Sequence, residues 1–175
     1  MYDVDRTKQN HVVQVARSLL GIHEVPDGSN DGPGVHMIQE ATLAFKAPWC
    51  VSTVQYVWHK TFGVFLANRT ANAYYLADWG SKEGITIPQP VVACPVVYHI
   101  GDGHAGIVCG VGQNGSFHAI EGNEANAVRW VQRNMHAIRC TFLLPHELLA
   151  VPLPHVTNHG ITEKEAAEHI QHRGI

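Results

Sequence analysis

Apolar positions recur at helical spacing in the first half of the chain and cluster in β-branched runs in the second. Val12, Val15, Ala16, Leu19 and Leu20 follow the 3.6-residue period, and Gly21 is placed to stop that helix. Pro26 to Gly34 is saturated with turn formers and predicts a loop. Val35 to Leu43 predicts a second helix. After Pro48, Cys50 to Phe62 predicts a third, with Val54, Val57, Trp58 and Thr61 along one face. Thr70 is expected to cap a fourth, which carries Ala73, Leu76 and Ala77 and ends at Gly80.

Beyond Ile85 the pattern changes. Val91 to Ile100 is apolar and β-branched, Gly101-Asp102-Gly103 is a turn, and His104 to Val111 is a strand. Asn114-Gly115 is a strong hairpin signal, with Ser116 to Ile120 as the returning strand. Val128 to Val131 and Ala137 to Leu144 are expected to complete an antiparallel meander. Helices followed by strands predict an α+β fold, with the N-terminal helices packed on a C-terminal antiparallel sheet. Pro145 to Gly160 holds three prolines and predicts a surface extension. Ile161 then opens a short helix with Thr162 and Glu165 as a capping box. The expected division is one main domain over 8–145 and an extension over 146–175.

Composition narrows the function. The chain has 175 residues, the size of one domain. Only 15% are charged and the net charge is −3, so neither a disordered polyelectrolyte nor a basic nucleic-acid-binding surface is expected. Thirteen histidines would turn the chain cationic at about pH 5–6. No apolar run is long enough for a membrane span, so no membrane insertion is expected. The polar, acidic start Met1-Tyr2-Asp3-Val4-Asp5 predicts synthesis in the cytoplasm without a signal peptide. Cys50, Cys94, Cys109 and Cys140 form no C-x-x-C pair and are too sparse for a disulfide scaffold. A monomer without cofactor or metal is the expectation.

One cysteine stands apart. Cys94 and Cys109 sit inside apolar strand runs, and Cys140 is also expected to be structural. Cys50 follows Pro48-Trp49 and begins a helix, where the macrodipole and unpaired N–H groups favour a thiolate nucleophile. His104 opens a strand behind a glycine turn, with Ala105 and Gly106 leaving room for a close neighbour. It is the candidate base for that thiol. Glu121 ends the strand that the Asn114-Gly115 hairpin brings beside His104. It is placed to hold the second imidazole nitrogen. Asn123 is a second candidate for that role, or a donor to an oxyanion.

The order cysteine, histidine, polar orienting residue matches a papain-like arrangement. From about Val12 to Leu144 the sequence resembles a CHAP domain, the cysteine- and histidine-dependent amidohydrolase/peptidase of phage lysins and bacterial wall hydrolases. The resemblance runs through Ala16-Arg17-Ser18-Leu19-Leu20-Gly21 with Glu24 and Pro26, then Gly28-Ser29-Asn30 and Pro48-Trp49-Cys50. It continues through Gly103-His104-Ala105-Gly106-Ile107-Val108 and Ile120-Glu121-Gly122-Asn123. It implies Cys50 as nucleophile, His104 as base, and Glu121 with Asn123 as orienting pair. Trp49 and Gly103 would line the substrate groove.

The implied substrate is bacterial peptidoglycan, cut at the sugar–peptide amide or within the peptide. The implied place of action is the cell wall, reached through a holin or as part of a virion. Val51-Ser52 stand where the family commonly has alanines, and Ala93-Cys94-Pro95 where it often has Pro-Gly-Asp. Ala41 to Trp49 contains no acidic residue, so the calcium site of some members is not expected. Three other readings remain: a metal hydrolase, which His169 and His172 at i, i+3 invite; a non-catalytic phage tail component; and a secreted antibacterial amidase toxin.

Overall fold

The computed structural model describes residues 2–150. Among these residues the fold is α+β: four α-helices and a six-stranded antiparallel sheet against which they pack. The helices are α1 (Arg6–Ser18), α2 (Pro33–Gln39), α3 (Cys50–Phe62) and α4 (Ala73–Lys82). The strands are β1 (Thr86–Ile87), β2 (Pro95–Tyr98), β3 (His104–Val111), β4 (Ser116–Glu124), β5 (Ala127–Asn134) and β6 (Cys140–Leu143).

α1 begins earlier than its apolar period. Asp5 accepts from the amides of Thr7 at 2.8 Å and Lys8 at 3.2 Å, so the cap recruits a polar first turn. Its end comes early too, at Ser18, with Gly21 left-handed in the turn beyond (φ 88°). α2 stops at Gln39, and Leu43, expected inside it, has φ 59°. α3 has the expected bounds. Thr70 is not the cap of α4; its hydroxyl accepts from Asn72 N–H, and Asn72 caps the helix through Tyr75 N–H at 2.9 Å. Gly80 lies inside α4 rather than ending it, because it is buried against Leu143 of β6.

The strands are not a meander. Their order is β1-β6-β2-β3-β4-β5, so β6 crosses back to pair with β1 and β2 rather than following β5. The reason is burial. Phe142 and Leu143 of β6 are buried between their neighbours, whereas β5 carries exposed Arg129 and Trp130 and forms the sheet edge. The β3–β4 hairpin turns at Asn114 and Gly115, both at positive φ.

α3 lies on the β3–β4 face of the sheet, flanked by α1 and α2, while α4 covers β2 and β6. Val51, Val54, Val57 and Trp58 of α3 are fully buried. Each such valine contributes about 1.5–3 kcal/mol. The approach to β4 is close at Gly122, where a Cβ would lie 2.7 Å from Thr53 Cβ. That packing sets the start of α3 directly over the β3–β4 pair.

Both ends of the unit overrun the expected 8–145 boundary. Asp5 N–H donates to Leu148 O at 2.9 Å and Ala150 N–H to Asp3 O at 3.0 Å, and Leu148 is buried. The helix expected from Ile161, with Thr162, Glu165, His169 and His172, lies outside the described residues.

Candidate active site

The start of α3 is built by the loop before it. Trp49 occupies the cap position and makes no capping bond with its side chain. The amides of the first turn therefore keep their partial positive charge for the Cys50 end of the helix. The Trp49 indole is fully buried, and its N–H donates to Glu24 Oε1 at 2.9 Å. Trp49, expected on the groove wall, is thus a core anchor: its ring is packed inward and its one polar atom is taken. The other oxygen of buried Glu24 accepts from Asn30 N–H at 2.9 Å.

Two buried glutamines hold the neighbouring loops. Gln39 donates to Asn30 O at 3.0 Å and Ala47 O at 2.9 Å. Gln55 donates to Leu66 O at 2.8 Å and Thr70 O at 3.1 Å, and accepts from Leu66 N–H at 2.9 Å. Between these loops runs a cleft of about 370 Å³, lined by Ala47, Pro48, Cys50, Thr70, Asn72, Ala73, Asp102 and Gly103 among others. Gly103 borders this cleft, at φ 93°, with no room for a Cβ against Ala73. Cys50 borders the cleft but is itself only 6% exposed, so it belongs to the core that it was expected to stand outside.

His104 opens β3 opposite Tyr98 of β2, whose ring stacks on it at 5.8 Å. Its Nε2 lies 2.9 Å from Glu121 Oε2 and 3.5 Å from Glu124 Oε2. Cys50, at the start of α3, is close enough to the same imidazole to bear on its charge. With Nε2 engaged by carboxylates, Nδ1 is the nitrogen left for the sulfur. Cys50, His104 and Glu121 therefore come together in the expected order. Asn123 does not join them. It sits at φ 57° in a bulge, and its amide donates to Asn30 Oδ1 at 3.3 Å, away from the ring. Of the two residues expected to orient the ring, only Glu121 contacts it.

The bulge has a second consequence. Strand alternation would put Glu121 and Glu124 on opposite faces. The register shift between them turns Glu124 to the side of Glu121. Arg133 of β5 then grips both, at 3.0 Å and 2.6 Å to Glu121 and 3.0 Å to Glu124. Its guanidinium also covers the Tyr98 ring at 5.3 Å. Nothing in the sequence pattern singled out Arg133 or Glu124, because register and bulge together bring them in. Glu24, Gln39 and Gln55 were missed as well; buried polar residues on otherwise apolar segments were the available signal.

The electrostatics follow from this packing. Burial alone would push the His104 pKa down. The neighbouring Cys50 and the hydrogen-bonded Glu121 carboxylate outweigh it and raise it to about 9, making the ring a strong proton acceptor. Burial likewise works to raise the Glu121 carboxyl, and His104 and Arg133 override it, holding it below the ordinary range. The buried Tyr98 hydroxyl is close to Glu121 but makes no well-aligned hydrogen bond, and burial first and the carboxylate second raise its pKa. Cys94 and Cys109 are both pushed up to about 12 by burial, which suits structural thiols.

His104, Glu121 and Glu124 offer ligand atoms all within 4.8 Å of one another. They fit a metal poorly, because Arg133 already binds the oxygens that a cation would need. No helix among the described residues is long and apolar enough to cross a membrane. Comparison of the chain with protein-family models and with curated proteins finds no match.

Proposed function

We propose that this protein is a cysteine amidohydrolase/peptidase of the CHAP type, with papain-like chemistry, that cleaves an amide bond of bacterial peptidoglycan. The observation that carries the chemistry is the 2.9 Å contact of His104 with the buried carboxylate of Glu121, beside Cys50 at the start of α3. The substrate rests on the resemblance of Pro48-Trp49-Cys50, Gly103 to Val108 and Ile120 to Asn123 to wall hydrolases.

In this reading His104 takes the Cys50 proton and the sulfur attacks the amide carbonyl. The tetrahedral oxyanion is met by backbone N–H groups at the start of α3, Cys50 among them. Glu121 stabilises the imidazolium. His104 then protonates the departing amine as the C–N bond breaks. Water, deprotonated by His104, hydrolyses the thioester and restores the thiol. Gly103 and the small residues of the cleft leave space for a peptide-like chain beside Cys50. No cofactor enters the scheme. The protein would act on the wall after release through a holin or from a virion.

The test is turbidity loss of purified peptidoglycan by the wild type beside Cys50→Ala, with free amines and reducing sugar ends both assayed. Clearing by the wild type alone, with new amines and no new reducing ends, is expected. Clearing by both proteins, or by neither on several wall types, overturns the reading.

A further inference from the structure

Arg133 is out of place for a strand residue. Its register partner on β4 is Phe117, not Glu121, which faces Arg129. Yet its side chain, 17% exposed, runs along the sheet to bind Glu121 through two nitrogens. Glu121 is fully buried, so its charge depends on close partners. The groups facing His104 are Cys50 from α3, Tyr98 from β2, and Glu121 and Glu124 from β4. Two carboxylates thus compete for one Nε2, and a planar two-pronged cation bridges both of them.

We propose that Arg133 is a positioning residue that clamps Glu121 and Glu124 so that Glu121, not Glu124, presents its oxygen to His104 Nε2. The proposal rests on the assignment of Cys50 and His104 as the reacting pair. The fork geometry matters: a lysine supplies charge at one point but cannot fix the plane of the carboxylate. Without the clamp, Glu121 is free to rotate or to take up a proton. His104 then loses the partner that holds its imidazolium, and becomes a weaker acceptor for the Cys50 proton.

The test compares wild type, Arg133→Gln, Arg133→Lys and Cys50→Ala by two readouts. One is the rate of iodoacetamide labelling of Cys50 between pH 5 and 8, mapped by mass spectrometry; it needs no substrate. The other is kcat and KM on purified peptidoglycan, with thermal unfolding as the folding control. Arg133→Gln is expected to slow both labelling at about pH 6 and kcat about tenfold, the cost of one lost hydrogen bond to a charged group, with KM unchanged. Arg133→Lys should recover part of both. Wild-type labelling and kcat in either folded variant overturn the proposal, even where the melting temperature falls. If wild type labels at Cys50 but cuts no peptidoglycan, the wall substrate fails and the clamp is still judged by labelling.

Discussion

Glu121 reaches His104 across a glycine. Gly106 faces Glu121 in the β3–β4 register, and His104 lies two residues before it on the same face. A Cβ at Gly106 would sit 2.6 Å from Glu121 Cγ, so the 2.9 Å contact between carboxylate and imidazole exists because that position has no side chain. Gly106→Ala should therefore displace Glu121, lowering kcat at least tenfold. Overpacking of this kind costs about 1–3 kcal/mol of stability. Steady-state kinetics beside thermal unfolding checks it, and wild-type kcat in the folded variant would contradict it.

The same pair predicts a bell in stability against pH. His104 is raised from 6.5 to about 9, so its contribution is complete below pH 6.5 and lost as pH rises toward 9. Glu121 is lowered from 4.5, so its contribution is present above that value and lost as pH falls below it. The pair should stabilise most between pH 4.5 and 6.5. By linkage the alkaline loss is at most about 3 kcal/mol. Glu121→Gln should remove the acid limb and make the alkaline one shallower, since Cys50 also raises His104. Urea unfolding from pH 4 to 10 measures this; equal slopes for wild type and variant above pH 6.5 would sink it.

Cys50→Ala should abolish turnover, and its stability cost should be visible. The side chain is buried in the core cluster, so the truncation should cost about 1 kcal/mol. Cys50→Ser fills the space better and should be as inactive and more stable than Cys50→Ala. Calorimetry with the turbidity assay separates the two effects. Residual hydrolysis above a tenth of wild type in either variant would remove Cys50 from the reaction.

How far the sequence reached depends on what kind of contact built each part. α3 was legible because Pro48 and the face of Val54, Val57, Trp58 and Thr61 are local signals. Cys50, His104 and Glu121 were legible because a helix start, a glycine turn and an Asn-Gly hairpin place them by local rules. The sheet order was not. The crossing of β6 to β2 is decided by which strands need burial on both sides, a property of the whole sheet. Arg133 and Glu124 stayed hidden because a bulge at Asn123 changes which face a residue presents. Trp49 was misplaced for a different reason: adjacency to Cys50 suggested the groove, whereas its ring turns inward to Glu24, 25 positions away.

Chelation should leave activity unchanged. Of the three groups with metal-ligand spacing, His104, Glu121 and Glu124, both carboxylates already bind Arg133. Dialysis against EDTA, followed by assay with and without added calcium or zinc, should change the rate less than twofold. A loss reversed by one metal would favour the metal-hydrolase reading and displace Arg133 from its present role.

Glu24 should matter although it lies outside the reacting trio. It holds the buried Trp49 N–H with one oxygen and the Asn30 amide with the other, so it fixes the residue on which α3 begins. Glu24→Ala leaves the indole N–H without a partner in the core, at a cost of about 1–3 kcal/mol. For a domain of this size each kcal/mol lowers the melting temperature by about 2–4 °C. The first turn of α3 should also loosen, moving the Cys50 amide that meets the oxyanion. The expected result is a lower melting temperature and a lower kcat measured well below it. Glu24→Gln retains an acceptor for Trp49 and loses the one for Asn30, so it should fall between. A variant that melts early yet turns over at the wild-type rate would show that the start of α3 holds its geometry without Glu24, and would confine that residue to stability.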